Sequence, residues 1–451
     1  MKRREMQKTV KLIKINPAQT LVLGFFGLII LGTLLLMLPF STEDRHHLSF
    51  IDALFEATSA VCVTGLVVVD TQTTFTTFGQ VVLLILIQIG GLGFMTFGIL
   101  IAIFLGKNIG LKERVLVQES LNQLTLEGMV RLVKFVVGFT MIVESIGAII
   151  LCFRWSEDFG FAKSLYYGVF HSISSFNNAG FDLMGNFRSM SQYTGDSIVI
   201  FTLSSLLIIG GIGYIVVLDI IHKKSFKKLS LHTKLVLIMS LVLNIAGTLL
   251  IFIFEYKNAA TLGNLSLHDQ ILGAYFHGIV PRTAGFNSVN TADLTLSSQL
   301  VTMLLMFIGG GSGGTAGGIK VTTFIIVLLA VLALIKGKDD VNILRRRLSK
   351  DLIYRAFSIT VYSIGIILLV VFILSFTEKA PLNVIMFEVI SAFGTVGMSL
   401  GLTPELSEPG KVIVAILMFA GRVGPLTLAF ALTGSQKKQA FKYAEEKIMI
   451  G

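Results

Sequence analysis

Charge is scarce in this chain. Asp, Glu, Lys and Arg make up 14% of its 451 residues, against roughly a quarter in soluble domains, so a surface solvated on all sides is excluded. Cysteine is limited to Cys62 and Cys152, both in apolar surroundings. Two such thiols make no disulfide framework and are read as packed side chains. Chemistry-bearing clusters are lacking too. There are no paired carboxylates within apolar runs, no His-x-x-x-His or cysteine cluster, and no Ser/His/Asp set at one depth, which argues against an enzyme.

Apolar residues fill the gap. They are 53% of the chain, and runs of about twenty or more recur from end to end, as a polytopic membrane protein requires. Little length is left for a soluble domain. The first run, 20–40, exceeds the core of a cleavable leader and reads as a retained span.

The net charge is +10, and its placement matters more than its size. Of the 37 lysines and arginines, 27 lie in 1–16, 106–134, 222–234, 336–355 and 434–451. Spans alternate with these basic segments, which are therefore expected in the cytoplasm together with both termini. Glu43, Asp44, Glu157, Asp158, Glu405 and Glu408 fall between the opposite ends. Basic residues spread over five short loops do not make a nucleic-acid surface.

Four short stretches share one design: 54–66, 169–181, 276–286 and 386–398. Each is a run of about a dozen mostly apolar residues closing on a glycine turn. The closing glycines Gly65, Gly180, Gly285 and Gly397 lie 115, 105 and 112 residues apart, the mark of one unit repeated four times. The units are 17–105, 129–222, 223–335 and 352–433. The arm 1–16, the loops 106–128 and 336–351 and the tail 434–451 are the cytoplasmic parts. Each unit has two long apolar runs around the short one, which gives eight spans. The short runs cannot cross a bilayer, but they can dip in as half-helices and return as irregular backbone covered by protein. The expected fold is thus an all-α membrane protein of four membrane–pore-loop–membrane repeats around one pseudo-fourfold pore.

Half-helices ending near one axis bring the negative ends of their dipoles together, which favours a cation. The residues after each end can line the axis with carbonyls: Val63-Thr64-Gly65, Asn178-Ala179-Gly180, Thr283-Ala284-Gly285 and Thr395-Val396-Gly397. With no carboxylate at these turns, the cargo is expected to be a dehydrated monovalent cation. Arg282, one residue before the lining, is expected to turn away. Glu56, His171, His277 and Glu388 recur on the short runs, and hydrogen bonding outweighs metal ligation for them.

Here the sequence resembles the Trk/Ktr/HKT family of potassium transporters over nearly its whole length, and the Ktr membrane subunit of bacteria most of all. The resemblance implies potassium uptake through a filter formed by the four glycines, in the plasma membrane. It further implies a homodimer and a separate cytoplasmic nucleotide-binding ring subunit as partners. No cofactor is expected in this chain, only potassium as cargo, with sodium dependence left open. Some plant relatives carry serine at the first filter position and pass sodium, so Gly65 favours potassium over a sodium-permeable alternative. Four like-oriented units also differ from the two inverted halves usual in secondary transporters.

A glycine-rich stretch interrupts the run 297–335: Gly309, Gly310, Gly311, Ser312, Gly313, Gly314, Thr315, Ala316, Gly317 and Gly318. A phosphate loop would need lysine directly after the last glycine, and Ile319 intervenes before Lys320. A broken helix lining a cavity fits better, and the resemblance gives it the role of gate. Arg422, mid-span, needs a wet cavity or a partner, and the resemblance implies a place for it beside that gate. Lys320 is expected to snorkel or to bind it. Glu144 is a further charge within a span, with no partner legible. The Gly-Gly-x-Gly motifs at Gly90, Gly91, Gly93 and at Gly210, Gly211, Gly213 read first as close helix packing.

Overall fold

The computed structural model describes residues 17–43, 48–93 and 129–424, with a few further positions near 96–100 and 427–449. The arm 1–16, the loop 106–128 and most of the tail 434–451 lie outside the described residues.

Each unit begins with a long helix, continues with a short one and closes with a second helix. In the first unit these are α1 (Pro17–Leu36), α2 (Phe50–Cys62) and α3 (Thr77–Leu92). The second has α4 (Met129–Phe159), α5 (Phe161–Phe176), α6 (Ser197–Gly211) and α7 (Tyr214–Lys223). The third has α8 (Leu231–Glu255), α9 (Leu267–Ile279), α10 (Leu296–Phe307) and α11 (Val321–Ile335). The fourth has α12 (Lys350–Thr377), α13 (Leu382–Gly394) and α14 (Glu408–Val423).

Polar residues set where these helices start. Ser49, Asp196, Ser266, Thr295 and Ser407 each accept a hydrogen bond from a first-turn backbone N–H, which satisfies donors the helix cannot. The long helices present apolar side chains outward, with Ile142, Phe153, Leu241 and Val361 each more than 60% exposed. The short helices are the interior, where Phe55, Phe170, Phe276 and Phe387 are fully buried. An apolar exterior around a buried middle fits lipid as the solvent. Among the described residues four helices are long and apolar enough to cross a membrane: α1, α4, α8 and α12.

The second long apolar run of each unit is not one unbroken helix. α6 and α7 meet at 92°. The helices α3 and α14 stop at Gly93 and Gly424, whose φ values are 82° and 92°, and Gly213 between α6 and α7 has φ 99°. Backbone of that hand cannot continue a right-handed helix. The Gly-Gly-x-Gly motifs therefore break helices as well as pack them. In the third unit the break widens to the glycine-rich stretch between α10 and α11. A further difference lies in the loop 336–351, where Asn342–Ile343 and Arg346–Arg347 pair as a two-residue hairpin, β1 and β2.

The units close into a circle. The second helix of each packs on the short helix of the next: α3 on α5, α6 on α9, α10 on α13, and α14 back on α2. This arrangement carries the ends of all four short helices to one place.

Candidate functional site

The four glycines meet there. All are left-handed, with φ 87° at Gly65, 73° at Gly180, 71° at Gly285 and 89° at Gly397. Each lies against the carbonyl before the next unit's glycine: Gly65 against Ala179 O, Gly180 against Ala284 O, Gly285 against Val396 O, and Gly397 against Thr64 O. The contacts run once round and close. A methyl group on Gly180 or Gly285 would sit 2.7 Å from that carbonyl oxygen, and nearer still on the other two.

A second left-handed residue precedes each glycine by two places: Val63 (φ 57°), Asn178 (61°), Thr283 (82°) and Thr395 (50°). The intervening Thr64, Ala179, Ala284 and Val396 are not left-handed. Alternating hand turns successive peptide planes alike, N–H groups to one side and carbonyls to the other. The N–H groups are tied back to the short helices, Thr64 N to Ser59 O at 2.8 Å, Ala179 N to Ser174 O at 2.8 Å, Ala284 N to Val280 O at 3.0 Å and Val396 N to Ser391 O at 2.9 Å. The carbonyls of those same residues face the ring. Sequence reasoning missed the left-handed Val63, Thr283 and Thr395, because β-branched residues rarely adopt positive φ. The hydroxyls of Thr64 and Thr395 are buried with no hydrogen-bond partner.

Three of the four recurrent polar residues on the short helices brace the returning strands. Glu56 Oε1 accepts from Val68 N at 2.8 Å and Val69 N at 3.2 Å. His171 Nε2 accepts from Leu183 N at 3.2 Å. Glu388 accepts from Ser399 Oγ at 2.7 Å and from the Thr403 hydroxyl. His277 instead faces Thr302 Oγ1 at 3.5 Å. Among the described residues no three His, Cys, Asp or Glu side chains converge on a metal site. Arg282 turns away, donating to Asn244 Oδ1 at 2.8 Å and Ser240 Oγ at 3.1 Å on α8.

On one side of the ring lies a cavity of about 540 Å³, lined by all four glycines together with Asp70, Asp182 and Arg188. On the other side a cavity of about 320 Å³ is lined by Gly91, Tyr214, Gly314, Lys320 and Arg422. The stretch Gly309–Gly318 lies between the second cavity and the ring. Gly311 N and Thr315 N donate to Gly211 O at 2.8 Å and Gly210 O at 3.2 Å. Thr315 Oγ1 contacts Phe176 O at 3.2 Å and Asn178 Oδ1 at 2.8 Å. Gly317 abuts the Thr395 side chain, and Gly318 abuts the backbone of Gly394. The charges found partners. Arg422 donates to Thr315 O, Gly90 O and Gly91 O, and Lys320 Nζ donates to Ala316 O at 2.5 Å. The arginine expected mid-span stands instead on the last turn of α14, because the helix ends at Gly424, and it is held by carbonyls on the glycine-rich stretch and at the end of α3.

Residues 16–440 match the family model described as TrkH, cation transport protein. The chain belongs to this cation transport protein family. It is 47% identical to the Ktr system potassium uptake protein B of Bacillus subtilis, covering 99% of each chain. Identity to the Ktr system potassium uptake protein B of Vibrio alginolyticus is 42%, over 96% of this chain and 94% of the relative. It is 38% to the potassium/sodium uptake protein NtpJ of Enterococcus hirae, over 99% of each. The crystal structure of the potassium transporter TrkH from Vibrio parahaemolyticus superposes with a TM-score of 0.73 at 20% identity, covering 94% of this chain and 86% of that one. That likeness concerns the fold.

Proposed function

We propose that this chain is the ion-translocating subunit of a potassium uptake system. Val63-Thr64-Gly65, Asn178-Ala179-Gly180, Thr283-Ala284-Gly285 and Thr395-Val396-Gly397 form its selectivity filter. The observation that carries the reading is the closed ring of left-handed glycines, each against the carbonyl that precedes the next unit's glycine. A carbonyl ring replaces the hydration shell of a monovalent cation without adding fixed charge. Behind it, four short-helix C-termini each contribute about half a negative charge. Residues Gly309–Gly318, with Lys320 and Arg422, act as the gate; the reading is supported by Gly314, Lys320 and Arg422 lining the second cavity while Gly317 lies against Thr395 at the ring. The full arrangement is eight spans with four re-entrant short helices, both termini in the cytoplasm and the larger cavity outside.

The reading includes a homodimer and a cytoplasmic nucleotide-binding partner; the naming of two relatives as protein B of a Ktr system supports a further component of that system. The relative named for potassium and sodium uptake keeps sodium as activator or second cargo within scope. The deciding experiment is potassium uptake into cells lacking their own uptake systems, with and without sodium. Potassium accumulation that depends on this chain is expected. Sodium accumulation alone would replace the reading with a sodium-permeable carrier of the same architecture.

Topology has its own test. Cys62 and Cys152 are buried, so background labelling by a membrane-impermeant thiol reagent should be low. Single cysteines at the exposed Glu157 and Glu405 should label from outside, and one at the exposed Lys338 only after the membrane is opened. Ser41, on an expected outer turn, is buried and hydrogen-bonded to Leu35 O, so it makes a poor reporter. External labelling at Lys338 would overturn the eight-span arrangement.

A further inference from the structure

Glu144 lies midway along α4 and is 6% exposed. It lines neither cavity, and both carboxylate oxygens are engaged. Oε1 accepts from Asn177 Nδ2 at 3.0 Å, and Oε2 accepts from Gln88 Nε2 at 3.2 Å. Asn177 Nδ2 also reaches Gln88 Oε1 at 2.9 Å and Ile173 O at 2.9 Å, while Asn177 Oδ1 has no partner. The Asn177 side chain is therefore held through its amide nitrogen alone. Asn177 caps the end of α5 and directly precedes Asn178-Ala179-Gly180. Gln88 lies on the last turns of α3, two residues before Gly90, whose carbonyl receives Arg422.

The four units differ at this position, three residues before the ring glycine: Cys62, Asn177, Arg282 and Gly394. In the third unit Arg282 ties the turn to α8, the long helix of its own unit. In the second unit Asn177 does the same through Glu144 on α4. The first and fourth units carry Cys62 and Gly394, which reach no such anchor.

We infer that Glu144 is a positioning residue for the second ring segment, holding Asn177, and through it Asn178-Ala179-Gly180, against α4 and α3. This rests on the ring being the filter. Without the carboxylate the buried Asn177 amide loses an acceptor and the half-buried Gln88 Nε2 is left without one, which such a network tolerates poorly. The turn then drifts, and with it the carbonyl of Ala179 that faces Gly65.

The test compares E144A, E144Q, N177A and the double variant E144A/N177A with G180S as a control, each scored for protein in the membrane and for potassium over sodium preference. E144A and N177A should each lower the preference roughly tenfold, the scale of one or two lost buried hydrogen bonds. The double variant should be no worse than the worse single, because coupled residues are not additive. E144Q keeps an acceptor for Asn177 but turns an amide N–H2 toward Gln88 Nε2, so its preference should fall between those of the parent and E144A. If E144A fails to fold, N177A carries the comparison. An unchanged preference in folded E144A or N177A, while G180S loses its own, overturns the inference and leaves the filter standing. An unchanged preference in G180S defeats the filter reading itself.

Discussion

Gly285→Ser should sharply reduce potassium affinity and admit sodium. The glycine has φ 71°, and a Cβ there would sit 2.7 Å from Val396 O. A side chain forced into that backbone region costs about 1–3 kcal/mol, and the clash is with backbone, which cannot swing aside. The ring must open locally, and a looser carbonyl ring compensates less well for stripping a potassium ion of water. We expect the potassium over sodium preference to fall by roughly ten- to a hundredfold, the equivalent of that strain. The same direction is expected at Gly65, Gly180 and Gly397. Competition between the two ions for uptake measures it, and a wild-type preference in all four serine variants would remove the ring from the ion path.

The second large effect concerns flux. Deleting Gly311–Gly317, or replacing Arg422 with Ala, should raise potassium flux in reconstituted vesicles and weaken dependence on any regulatory partner. Arg422 joins Thr315 O to the end of α3, so its loss frees the stretch on that side. Few apolar contacts hold a glycine-rich segment, and opening it need cost only a few kcal/mol. Ion preference should persist, because the N–H groups bracing the ring bond to the short helices and not to this stretch. Equal or lower flux in folded Arg422→Ala and deletion proteins would make the stretch a packing element and move the gate elsewhere. Loss of preference along with a gain in flux would instead make the bond from Thr315 to Asn178 part of the filter.

The sequence made the ring legible because its evidence was periodic: four glycines at nearly equal spacing, each closing a short apolar run. It also placed Arg282 away from the axis, on the argument that a cation there would repel the cargo. Other features did not follow from local rules. Val63, Thr283 and Thr395 adopt a backbone hand that their side chains disfavour, and only the surrounding helix ends impose it. The motifs ending at Gly93 and Gly213 were read as packing, and they do pack: Gly90 lies on Val61 O and Gly210 on Phe176 O. That they also end helices depends on the third glycine taking a positive φ, which composition does not reveal. Glu144 had no visible partner because Gln88 and Asn177 lie 56 and 33 residues away in sequence. Only the circular packing of units brings them together.

That circle is made from one chain, with four different sequences at equivalent positions. In a ring of identical subunits one codon change alters every quarter at once, so selectivity moves in coarse jumps. Here a substitution reaches one quarter and leaves three intact. Cys62, Asn177, Arg282 and Gly394 occupy one structural position with four chemistries, a divergence that fourfold identity would forbid. As the proposed filter, such a ring can therefore be adjusted one quarter at a time, in small increments.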